Sequence, residues 1–175
     1  MTQSTQRFLP TLALACLLSV PLSVQADSQF ERFEEISERG SEVTMELMVR
    51  QYASMGADAE AIRAAVPASE WDDEYREAAR CQLDRYEASI GKSGIDEMLD
   101  RLEAMFEQLD NDSSTFDDMQ ALGEKSAIEG VSDQEQIAIM KDCGLMEINM
   151  RRMSESGFME AVQAQMATME LPDES

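Results

Sequence analysis

From residue 27 onward apolar side chains recur at steps of three and four, with no sustained alternation, which is the period of helices rather than of strands. The longest such pattern predicts a central helix over 132–159. Ser132 and Glu135 stand at capping-box spacing, so the hydroxyl can accept from the amide three residues on and the carboxylate can reach back. Ile139, Cys143, Met146, Met150 and Met153 then fall on one stripe. Ile137, Leu145 and Ile148 lie off it, which predicts a core helix covered on two sides.

The other elements follow from the same reading. Over 27–55, Phe30, Phe33, Val43, Leu47 and Met48 share one face and six charged residues between Glu31 and Arg39 the other, with Gly40 weakening the middle and Gly56 ending the helix. A short alanine-rich helix over 57–66 is closed by Pro67. Ser69 is the expected N-cap of the next helix, followed by Glu70, Asp72 and Asp73 at the positive end of its dipole, with Trp71, Tyr75, Ala78, Leu83 and Tyr86 on its buried side. Gly91 and Gly94 punctuate a turn. The cleanest amphipathic stretch, 93–109, then puts Ile95, Met98, Leu99, Leu102, Met105, Phe106 and Leu109 on one stripe. Ser114 or Thr115 caps a short helix bearing Phe116, Met119 and Leu122, and Gly157 separates the central helix from a last amphipathic segment. The expected fold is all-α: an irregular bundle of five to seven helices with a methionine-rich core, one domain over 27–175, ending in an acidic frayed tail at 170–175.

Residues 1–26 change the picture of where this domain resides. Arg7, an apolar run from Thr11 to Val20, Pro21 and then Val24-Gln25-Ala26 have the order of a cleaved signal peptide. The run is shorter than the roughly 20 residues needed to span a membrane, and Cys16 lies inside it, not at a lipidation site. The mature chain is expected to begin at Asp27 and to be periplasmic or secreted. Two cysteines then remain, Cys81 and Cys143, and an even count in an oxidising compartment predicts a disulfide between them.

Charge narrows the partners. Arg7 is the only charged residue of the leader, which leaves 13 basic against 36 acidic side chains, a net −23. Phosphate backbones and anionic lipid surfaces are bound mainly through Lys and Arg, so nucleic acid and acidic membranes are excluded as partners. Only Lys92, Lys125 and Lys141 are lysines, a bias that suits saline surroundings and equally follows from a GC-rich genome. The urea midpoint should rise between about 0.01 and 0.5 M monovalent salt, as the Debye length falls from about 30 Å to a few Å and self-repulsion is screened. A flat or falling midpoint would show that repulsion does not limit the fold.

Candidate chemistry is sparse. The chain has no histidine, which removes imidazole-dependent nucleophiles and histidine metal sites. Asp110, Asp112 and Ser114 match the first, third and fifth positions of a calcium loop, but Thr115 occupies the glycine position and Ala121 that of the bidentate Glu. Met146, Met150 and Met153 have the MxxxM and MxxM spacing of soft thioether ligands for Cu(I); the competing role is core filler. The same methionines could form an adaptable groove for proteins or peptides. Adjacent carboxylates such as Asp72/Asp73 do not face one substrate on a helix, and no cofactor motif is present. The expected function is a non-catalytic binding or accessory protein for a protein or small ligand. The alternatives are a periplasmic Cu(I)-handling protein and a carboxylate-based envelope hydrolase.

Overall fold

The computed structural model describes residues 22–111, 113–125 and 128–169. Its seven regular elements are all helices: α1 (Leu22–Ser54), α2 (Ala59–Arg63), α3 (Asp73–Leu109), α4 (Phe116–Lys125), α5 (Asp133–Asp142), α6 (Leu145–Glu155) and α7 (Phe158–Met169). None of the described helices is long and apolar enough to cross a membrane. Residues 1–21 of the expected leader and the tail at 170–175 lie outside the described residues.

The bundle is organised by a reversal inside α3. Gly91 sits at φ 71°, ψ 172°, which is not helical and which a residue with a Cβ adopts only under strain. The chain therefore turns back there, and α3 consists of two arms, 73–90 and 92–109. Contacts with α1 give their directions. Arg76 pairs with Glu34 and Arg80 with Asp27, so the first arm runs antiparallel to α1. Gln29 bonds Asp96, Arg32 bonds Asp100 and Glu103, and Arg39 pairs with Asp110, so the second arm runs parallel to it. α1 and the two arms enclose the main core, in which Phe30, Phe33, Ile36, Trp71, Ala79, Leu83, Tyr86, Ile95, Met98 and Leu99 are buried, with Val131 and Ile139 closing one side.

Gly40 does not weaken α1, which is continuous through it. A Cβ there would lie 2.3 Å from the Phe106 ring, so the missing side chain lets the second arm approach α1 closely. Two smaller clusters extend the core: Val43, Leu47 and Leu109 under α4, and Val49, Ile62 and Phe158 where α7 crosses α2.

Two expected helix starts are corrected or refined. Asp72, not Ser69, caps α3: its carboxylate accepts from the Tyr75 amide at 2.8 Å, while the Ser69 hydroxyl donates to Glu42. Trp71 is thus buried from the residue before the cap, where it packs against Tyr75 with ring centroids 4.8 Å apart. Ser132 does cap α5, accepting from the Glu135 amide, but the Glu135 carboxylate faces Ser89 on α3.

The expected single helix over 132–159 is three elements. Gly144, at φ 82°, ends α5 in a left-handed turn and α6 starts afresh at Leu145; Gly157 separates α6 from α7. The break resets the helical phase. Leu145 and Ile148, off the expected stripe, are the residues α6 buries, whereas Met146 and Met150 are 45% and 59% exposed and Met153 is half-buried. The core is accordingly not methionine-rich: among the described residues Met98 is the only buried methionine.

The Cys81–Cys143 disulfide is formed, with Cα atoms 5.7 Å apart, within the span such a bridge can close. It joins the first arm of α3 to the residue that caps α5.

Candidate functional site

The disulfide marks the place where the α5–α6 turn meets the first arm of α3. Cys81 and Ala78 are one helical turn apart on α3; Ala78 is small enough for Leu145 and Ile148 to close over it, with Tyr75 and Met140 at the margin. Short-range polar contacts then fix the angle of α6. Arg151 makes a two-pronged pair with Glu74. Arg152 donates to the Glu70 carbonyl, stands 3.8 Å from Asp72 and lies over the Tyr75 ring at 5.1 Å. The Glu74 hydrogen bond raises the Arg151 guanidinium above its ordinary value. Burial pushes the Tyr75 phenol above the usual tyrosine range, opposed by a hydrogen bond with Asn149 and the charge of Arg152.

Between these contacts an open cleft of about 370 Å³ remains, floored by the disulfide and Ile148. Its walls bring together Glu74 and Glu77 from α3, Asp142 from α5 and Glu147 from α6. Adjacent carboxylates in the sequence do not meet here; residues some seventy positions apart do, which no spacing in the sequence could signal. Glu74 is neutralised by Arg151, while Glu77, Asp142 and Glu147 form no ion pair among the described residues.

Chemically the cleft offers carboxylates, a disulfide and one guanidinium. A general acid for polymer hydrolysis at neutral pH is made by a pocket that desolvates its carboxyl group. All four carboxylates here are exposed, so this wall does not supply that setting. No three Asp, Glu or Cys side chains among the described residues are placed to hold a metal ion.

Met146 and Met150 occupy the solvent side of α6, with Met153 beside them and Glu147 between this stripe and the cleft. The structure therefore keeps the three methionines on one face but brings Met146 and Met150 to the surface, with Met153 half-buried beside them. The signal for this outcome was present: Gly144 directly after Cys143 has the position of a C′ glycine.

Of the three calcium-loop candidates, Asp110 is paired with Arg39 of α1, Ser114 is bonded within the loop and Asp112 lies outside the described residues. The Asn111 side chain donates to the Gln108 carbonyl and to Ser114 and accepts from Ser113. Thr115 and Asp118 cap each other, the Thr115 hydroxyl accepting from the Asp118 amide and the Asp118 carboxylate from the Thr115 amide and hydroxyl. Those bonds hold the Asp118 carboxyl below its ordinary range. No protein-family model, characterised protein or solved structure matches the chain.

Proposed function

We propose that the protein is a non-catalytic binding or accessory protein working outside the cytoplasm, and that its binding face is the outer side of α6 together with the adjoining disulfide cleft. The observation that carries this reading is the exposure of Met146 and Met150 on a helix whose docking is done by Leu145 and Ile148. Thioethers not needed for packing are adaptable contact surface, flexible and polarisable. The disulfide supports an oxidising compartment, since such bridges are rare where thiols are kept reduced. It also holds the face in one geometry, which lowers the ordering cost of binding.

The test is native co-purification from the cell envelope with Met146→Glu/Met150→Glu, compared with wild type and with Met159→Glu/Met166→Glu on α7. A partner lost only from the first variant, at an unchanged thermal midpoint, supports the face; a partner retained by it overturns the assignment. One second reading gains from the same exposure. Three thioethers on one face, two of them exposed and Met153 half-buried, suit Cu(I), and this predicts metal uptake whose stoichiometry falls in Met146→Leu/Met150→Leu/Met153→Leu.

A further inference from the structure

We infer that the segment covering this face is a cationic amphipathic helix, its apolar side on Met146 and Met150 and its basic side chains on Glu147, Asp142 and Glu77. The inference rests on the binding-face reading above and adds the chemical class of the partner. Met146 and Met150 are one helical turn apart, the spacing at which the i and i+4 anchors of a docked helix meet a facing helix. Glu147 lies between that apolar pair and the cleft, so apolar and acidic contacts are side by side on one surface.

The charge around the face selects the sign of the partner. Both cations of α6 are engaged, Arg151 by Glu74 and Arg152 by Asp72 and the Glu70 carbonyl. The three remaining cleft carboxylates have no ion pair among the described residues, so an incoming basic group displaces no existing partner. An anionic segment, an acidic lipid surface or a second copy of this face would meet like charge on a chain of formal net charge −22.

The experiment uses the oxidised full chain carrying ¹³C-methyl methionine and three designed eighteen-residue helices with leucine on one side and lysine, glutamate or glutamine on the other. The lysine helix is expected to shift the Met146 and Met150 methyl resonances while leaving those of Met159 and Met166 in place, with affinity falling as salt rises. Glu77→Gln/Asp142→Asn/Glu147→Gln should weaken it by roughly tenfold, as the sum of three solvent-exposed charge pairs. Glu31→Gln/Asp84→Asn/Glu107→Gln, the same charge change elsewhere, should not. Equal weakening in both triple variants would reduce the effect to net charge and overturn the inference. If the glutamine helix shifts Met146 and Met150 as strongly as the lysine helix, the face stands and the cationic assignment falls. If no helix shifts these two methyls, or if the chain dimerises through them, the face itself is wrong.

Discussion

Replacing Cys81 and Cys143 together by alanine should lower the thermal midpoint by roughly 8–16 °C, the consequence of removing about 4 kcal/mol of loop-closure restriction from a chain of this size. The bridge spans 62 residues, and those residues include all of the second arm of α3, α4 and α5. In the unfolded chain it holds together segments that otherwise explore a large volume, and in the folded chain it connects backbones already 5.7 Å apart. Its local effect should exceed its global one. The part of α6 docked on α3 buries only Leu145 and Ile148 against Ala78, so without the bridge the α5–α6 turn should open before the bundle melts. Amide exchange of α5 and α6 in the variant should therefore accelerate more than that of α1. A midpoint shift below about 3 °C would show that the reduced unfolded chain is already compact, the condition under which the entropic argument fails.

Trp71→Ala should cost about 3–5 kcal/mol, the range for deleting a buried aromatic side chain. The indole is 6% exposed although no helix carries it. It packs edge-on against Phe33, with centroids 5.7 Å apart, and tilted against Phe30 and Tyr75. Its backbone N–H donates to Glu38 of α1 at 2.7 Å. The residue thereby ties the entry to α3 to the middle of α1. A cavity at this point lies where three segments meet and none can move to fill it without losing other contacts. Urea unfolding followed by circular dichroism is the suitable measurement, since the substitution removes the only tryptophan. Trp71→Phe should cost less than half as much by preserving one ring in the cluster, and similar losses for the two variants would place the cost in the indole contacts.

Helical class, a helix count within the expected five to seven among the described residues and the pairing of the two cysteines were legible in the chain, because each depends on short-range or compositional facts. Three- and four-residue periodicity sets which faces can be buried, and the Thr115 and Ser132 caps act within three residues of themselves. The disulfide followed from the count of cysteines and the expected oxidising compartment. Along α1 and the second arm of α3 the apolar stripes identified Phe30, Phe33, Leu47, Ile95, Leu99 and Leu109, all buried.

What the pattern of residues could not determine was the phase of one helix relative to the next. Periodicity carried through Gly144 assigns Met146 and Met150 to the core, because a stripe has meaning only within one unbroken helix. The left-handed turn at Gly144 rotates the register, and contact with Ala78 then selects Leu145 and Ile148 as the inner residues. Gly40 could be read as a weakness for the same reason: its value lies in a Phe106 ring that belongs to a helix more than sixty residues away. The acidic cleft is of this kind too, since Glu77, Asp142 and Glu147 are neighbours only where the α5–α6 turn packs on the first arm of α3. Local stereochemistry and composition reside in the chain itself, whereas the choice among apolar faces depends on which partner surface has room for them, and that exists only in the folded molecule.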